Sequence, residues 1–260
     1  MIKKFLIGNK AFQSFFEKLY RISLSGMNYG RGGIIETSGE LFVLQRLKSL
    51  FNNKEPVIFD IGSNVGQYAT ELVKVFGQDL SLYCFEPSAR AFDELINNPS
   101  IKNAKFFNTA MSNSIGESNL FFDKPGTGWA SMYKADIPGH NILFEYSEKI
   151  KIDTIDNFCR SMGLNKINFL KIDVEGHELD VLKGANDMLK ENRIDIIQFE
   201  IGVTSINARI YLRDFFETLK NYTIYRILKN GIIKINYNER YEVFLTSNYL
   251  AINNNEKLSV

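Results

Sequence analysis

The 260-residue chain sets 31 Lys and Arg against 30 Asp and Glu, a formal net charge of +1. That balance lacks the electrostatic pull that draws basic proteins onto nucleic acid or anionic membranes. Its two cysteines, Cys84 and Cys159, have no metal-ligand spacing and suit a reducing compartment better than a secreted, disulfide-stapled scaffold. Asn9 and Lys10 break the opening apolar run too early for a signal peptide, and no segment reaches the ~20 apolar residues of a membrane helix. The expectation is a cytoplasmic protein without stable membrane insertion.

In chain order, Phe12, Phe15, Phe16, Leu19 and Tyr20 recur at helical spacing, so residues 3–22 read as an amphipathic helix. Docking on its own domain is its expected use, with a homodimer through this helix next. Ser25 to Gly33 is loop-like, and Thr37 with Glu40 has the spacing of a capping box ahead of a helix reaching Phe51. Asn52, Asn53 and Pro56 stop that helix, which puts an N-terminal helical extension at 1–52 and one domain at 53–260. From there strands and helices alternate: VIFDI, SLYCF, AKFFNTAMS, INFLKIDV and DIIQFEI are strands with helices between them. The tail from Tyr222 is β-rich, with Lys229-Asn230-Gly231 a hairpin turn. The class is α/β, a mostly parallel, doubly wound sheet ending in antiparallel strands.

The first strand runs into Gly62-Ser63-Asn64-Val65-Gly66. A dinucleotide fold needs a third glycine here, and a P-loop needs Gly-Lys-Ser/Thr where Gln67-Tyr68 follows. Asp60, just before the turn, would repel phosphate and attract a cation. Glu86, at the end of the next strand, can accept both hydroxyls of a ribose, and Pro87 fixes the turn that aims it. A ribose clamp, an acid at the turn and no phosphate cradle describe S-adenosylmethionine.

A second motif, FLKIDVEGHELDVLKGA from Phe169 to Ala185, places Asp173 at a strand end with Glu175, Gly176 and His177 in the following turn. Ligands of open parallel sheets bind beyond such strand ends. With DIGSNVGQYA, FEP and NTAMSN in the same order, the sequence resembles the FkbM family of S-adenosylmethionine-dependent methyltransferases from about Thr37 to Ile252. The resemblance implies a seven-stranded, Rossmann-like class I sheet with its last strand antiparallel. It implies O-methylation of a hydroxyl, often on a sugar of a surface polysaccharide or glycan, or else on a secondary metabolite. It sets Asp60, Gly62, Asn64 and Gly66 against the methionyl part of the cofactor, within a turn that includes Ser63 and Tyr68. Glu86 then holds the ribose, and Asn108 and Ala110 sit beside the adenine. Trp129 departs from the smaller residue more usual in the family.

A sugar hydroxyl is protonated at neutral pH, so a base or metal should help remove its proton. Asp173 is a candidate for that role or for holding the cofactor ammonium. His177 is either the base or a structural residue, and Glu175 is either catalytic or a cap on the following helix. Asp173 and Glu200 end strands expected to be neighbours and offer oxygen ligands suited to Mg²⁺, which leaves the metal unresolved; Glu200 equally suits a hydrogen bond to substrate. The loop Gly126 to His140 reads as a lid over the acceptor, with Trp129 stacking on a sugar ring and Ser131 and Tyr133 as further contacts. Competing classes are a NAD-dependent oxidoreductase on a similar fold and a non-catalytic nucleoside-binding partner. Balanced charge and the absence of an Asn/Asp-Pro-Pro-Tyr tetrad argue against nucleic acid.

Overall fold

The computed structural model describes residues 6–51, 55–77, 79–124, 127–134 and 136–256. Its strands are β1 Val57–Ile61, β2 Ser81–Phe85, β3 Lys105–Phe107, β4 Ala110–Met111, β5 Gly116–Phe122, β6 Ala130–Ser131, β7 Asp136–Ile137, β8 Ile142–Leu143, β9 Tyr146–Asp153, β10 Ile167–Ile172, β11 Ile194–Ile201, β12 Tyr222–Leu228, β13 Gly231–Lys234 and β14 Ser247–Asn253. The helices are α1 Gln13–Gly26, α2 Ile35–Ser38, α3 Glu40–Leu50, α4 Gln67–Phe76, α5 Ala89–Ile96, α6 Ile155–Met162, α7 Glu178–Lys183, α8 Asn186–Lys190, α9 Thr204–Ala208 and α10 Leu212–Thr218.

Strands β3, β2, β1, β10 and β11 lie side by side in parallel, and β14 inserts antiparallel between β11 and β12. This is the expected seven-stranded, doubly wound arrangement with an antiparallel last strand. The described sheet has eight strands, not seven, because the Lys229-Asn230-Gly231 turn sends β13 back along the outer edge of β12.

Fully apolar strands imply burial on both faces, and both faces are covered. On one, Phe59, Ile61, Leu170 and Ile197 pack with Phe158 of α6, Val181 of α7, Met188 of α8 and Phe215 of α10. On the other, Ile58, Leu82, Phe169 and Ile196 pack with Leu44 and Leu47 of α3, Leu72 of α4 and Leu95 of α5. Each fully buried Leu, Ile or Phe contributes about 1.5–3 kcal/mol. Helix α3, expected to belong to the N-terminal extension, is therefore part of the domain core, although the 52/53 boundary itself lies outside the described residues.

Several expectations change. AKFFNTAMS is not one strand: β3 ends at Phe107 and β4 joins a second sheet of order β4-β9-β5-β6. Strand β9 and helix α6 fill a stretch that the sequence reading leaves unassigned. The helix after β10 breaks into α7 and α8 at Gly184, a position where a Cβ would collide with the Ser112 carbonyl. Helix α1 begins at Gln13 after a short 3₁₀ turn, and the expected start at Lys3 is outside the described residues. Leu24 is its one buried residue, while Phe15, Phe16, Leu19, Tyr20 and Ile22 are exposed, so its apolar face does not dock on the domain. Among the described residues no helix is long and apolar enough to cross a membrane.

The capping box of Thr37 and Glu40 does not form. Helix α3 starts after Gly39, whose φ of +96° suits glycine, and the Glu40 side chain turns inward. There it accepts from Ser38 Oγ at 2.9 Å and Gln198 Nε2 at 2.7 Å. Gln198 belongs to a polar row crossing the sheet in register, Asp60 beside Lys171 and Lys171 beside Gln198. Lys171 is 2% exposed, and its Nζ lies 2.9 Å from Asp173 Oδ2 and 4.9 Å from the centre of the Tyr68 ring. Removing one partner of a buried charge cluster costs about 3–5 kcal/mol, because the remaining charges lose their compensation. Lys171→Met should therefore lower unfolding free energy in urea by about that amount, with part of it recovered when Asp60→Asn is added. A loss below about 1 kcal/mol, the range of an exposed pair, would show that the row does not hold the sheet.

Candidate active site

The crossovers from β1 run to β2 and β3 on one side, while β10 and β11 lie on the other. The crevice of such a sheet opens where the strand order reverses, beyond the carboxyl ends of the strands. Here those ends are Gly62 to Gly66 after β1, Glu86 after β2, the Asp173 to His177 turn after β10, and Glu200 within the last residues of β11. Gly62 has φ +83°, and a Cβ on it would collide with the Asp173 carbonyl, so the two turns approach each other backbone to backbone. Asn64 adopts φ +47°, a conformation Asn tolerates better than most residues.

Two cavities open here. The first is lined by Gly62, Asn64, Glu86, Pro87, Ala110 and Asp173, with apolar walls from Ile61, Ala91, Met111, Leu120 and Met132. Glu86 is 7% exposed; its Oε2 accepts from the Asn64 N–H and its Oε1 from the Ser88 N–H, both at 2.8 Å. Each oxygen keeps a lone pair for a ligand. Burial pushes the Glu86 carboxyl up to about 7, against the two N–H groups that favour its ionised form. An apolar slot beside a fixed carboxylate and a glycine turn fits an adenosine bearing an amino-acid tail.

Some residues expected in that cofactor wall support it from behind. Asp60 is 1% exposed under the turn, and burial raises its carboxyl to about 6, with Lys171 opposing. Ser63 Oγ donates to the Asp60 carbonyl, and Gly66 packs against Leu95 and Ile101. Asn108, which is exposed, donates through its amide nitrogen to the carbonyls of Glu86 and Pro87 and so fixes that strand end. Tyr68 lines the other cavity, where its hydroxyl donates to Gln198.

The second cavity holds about 1570 Å³ of open space against about 780 Å³ for the first. Its lining includes Glu40, Tyr68, Trp129, Lys171 and Glu200, and Asp173 and Glu175 face both cavities. The segment after β5 forms the partition, with Thr127, Gly128 and Ala130 toward the first cavity and Trp129 toward the second. The expected lid begins at Gly126, which lies outside the described residues. Lys171 fixes Asp173 through one oxygen. Burial works to lower the Lys171 ammonium, but Asp173, Glu40 and Asp60 outweigh it and hold its pKa above the ordinary lysine value.

Glu175 has φ +52°, accepts from Thr204 Oγ1 at 3.2 Å, and is pushed to about 8 by burial and by Asp173 and Glu178. It does not cap α7. Glu178 closes that turn instead, its Oε1 accepting from the N–H groups of Val174 and Gly176. Burial, Asp173 and Glu175 raise Glu200 well above the ordinary carboxylate range. Asp173, Glu175 and Glu200 each bring one oxygen within 4.8 Å of the others, close enough to share a cation. Lys171 already gives Asp173 a cationic partner.

His177 lines the first cavity and not the second. Its Nε2 lies 2.9 Å from Ser112 Oγ, and burial holds the imidazole below its ordinary pKa, with Asp180 opposing. Two expected substrate contacts are engaged internally: Tyr133 OH donates to Asp180 at 2.7 Å, and Ser131 Oγ donates to the Glu175 carbonyl at 2.6 Å. Glu40, Lys171 and Glu178 went unread in the sequence as site residues. Of these, only Lys171, a lone cation inside an apolar strand, carried a local signal.

Comparison with known proteins agrees with this geometry. Residues 60–231 match the model of the methyltransferase FkbM domain. The chain is 29% identical over 213 residues to the 2-O-methyltransferase NoeI of Sinorhizobium fredii, covering 77% of this chain and 86% of that protein. It is 27% identical over 150 residues to the hexuronic acid methyltransferase AglP of Haloferax volcanii, covering 58% of each. The matched region takes in both strand-end turns and the cavity residues Glu86, Asp173, Glu175 and Glu200, and the chain belongs to the FkbM methyltransferase family.

Proposed function

We propose that the protein transfers a methyl group from S-adenosylmethionine to a hydroxyl of a sugar in a polysaccharide or glycan. The observation that carries this reading is that Asp173 faces both cavities, so one carboxylate borders a cofactor-shaped cleft and a larger polar one. The relatives' names, a 2-O-methyltransferase and a hexuronic acid methyltransferase, support a carbohydrate acceptor.

The cofactor supplies an electrophilic methyl group on a sulfonium. The chain's own residues do the rest. Glu86 accepts the ribose hydroxyls with the lone pairs its backbone partners leave free, and Gly62 with Asn64 lets the backbone approach the methionyl part. Asp173 keeps one oxygen on Lys171 and turns the other to the acceptor hydroxyl, taking its proton as the oxygen attacks. Trp129 offers an aromatic face to the sugar ring. Asp173 is preferred to His177 as the base because His177 does not line the acceptor cavity. Most of the rate then comes from alignment across the partition, where effective molarities reach ~10⁵ M or more.

Asp173→Asn should lower kcat by about 10²–10⁴-fold, the usual contribution of a positioned base, while affinity for S-adenosylhomocysteine is retained in calorimetric titration. Undiminished turnover would move proton acceptance to another group. Glu86 gives a pH signature. Ribose hydroxyls favour its ionised form, so cofactor binding displaces a proton from a carboxyl held at about 7. Affinity for S-adenosylhomocysteine should rise with pH through that value and level off above it, and Glu86→Gln should abolish the rise. A flat wild-type profile would detach Glu86 from the ribose.

A further inference from the structure

The ionisable side chains of the acceptor cavity are almost all carboxyls, crowded and buried enough to hold Glu175 and Glu200 above the ordinary carboxylate range. Glu36, Glu40, Glu71, Asp173, Glu175 and Glu200 line it, and Lys171 is the single cation among its described lining residues. Glu71 is offset by Lys74 at 2.6 Å outside the cavity. Lys171 has no free face for an anion: it is 2% exposed, donates to Asp173 and lies against the Tyr68 ring. Among the described residues no arginine or histidine lines this space. Glu200 stands in its wall, within 4.8 Å of Asp173 and Glu175 oxygens, and no donor from a described residue reaches its carboxylate. A low-dielectric cleft of one sign concentrates ligands of the opposite sign and repels its own.

Resting on the reading of this cavity as the acceptor site, we infer that the acceptor sugar carries no carboxylate, phosphate or sulfate. The substituent that Glu200 and its neighbours hold best is a protonated amine, with neutral hydroxyls next. A hydroxyl donates a hydrogen bond to these carboxylates, and an ammonium adds opposite charge. An ammonium relieves the crowding that raises Glu175 and Glu200, whereas a sugar acid adds a fourth carboxyl to it.

The test uses the full chain, S-adenosylmethionine, and methyl glycosides of the gluco, galacto and manno series. Each series includes its neutral, 2-amino and uronic acid forms, and S-adenosylhomocysteine release is followed. The expected order in kcat/KM is amino sugar at or above neutral sugar, with the uronic acid at least about tenfold lower, as like-charge juxtaposition dictates. Raising ionic strength should narrow the wild-type gap, and Glu200→Gln should narrow it further at low salt. Uronic acids methylated as well as their neutral counterparts would overturn the inference while leaving the carbohydrate reading intact. Should no glycoside accept a methyl group although S-adenosylhomocysteine binds, the sugar reading itself fails and this inference falls with it. The wild-type ranking decides the matter even if the Glu200 variant does not fold.

Discussion

One buried ammonium group organises this molecule. Lys171 lies on β10, in register with Asp60 on β1 and Gln198 on β11, and its Nζ donates to Asp173, two residues on and just past the strand's end. A lone cation in that position would be expelled or neutralised. It stays charged because carboxylates surround it, and those carboxylates in turn tolerate burial because it is there. Glu40 reaches in from α3 and Tyr68 from α4, so the same cluster couples two helices to the sheet and lines the second cavity.

The second constraint is the contact between the two strand-end turns. Gly62 and Asp173 meet through backbone atoms, which places the turns after β1 and β10 at a distance no side chain on Gly62 could preserve. Glu178 then clamps the second turn by accepting from Val174 and Gly176, leaving Glu175 in a left-handed conformation with its carboxylate in the wall of both cavities. A turn held in this way has little freedom to drift, which suits a displacement reaction that depends on alignment.

The second sheet explains how one crevice becomes two. Strands β5 and β9 carry β6 across the mouth of the main sheet, so Ala130 and Trp129, adjacent in sequence, face different cavities. Ser131 is tied to the Glu175 carbonyl in the turn after β10 and Tyr133 to Asp180 of α7, so this partition is fastened at two points. The second cavity is consequently the wider and is lined by carboxyls, and the first is narrower and largely apolar.

By itself the sequence determined the alternation of strands and helices, the hairpin at Asn230-Gly231, and the glycine turn beside strand-end acids. Each depends on neighbours within a few residues, through periodicity, backbone freedom or turn chemistry. Asp173 and Glu86 were legible for the same reason, since a carboxylate ending an apolar strand is a local anomaly. What only the tertiary structure decided involves partners far apart in the chain. Glu40 has the spacing of a cap yet bonds to Gln198, 158 residues away, because burial beside Lys171 outweighs one capping bond. Asn108, Ser131 and Tyr133 have residue types that suit ligand contact, and each is engaged by a carbonyl or carboxylate that no local pattern announces. The exposed face of α1 shows the converse: helical periodicity marks an apolar stripe, but what covers such a stripe depends on surfaces elsewhere in space.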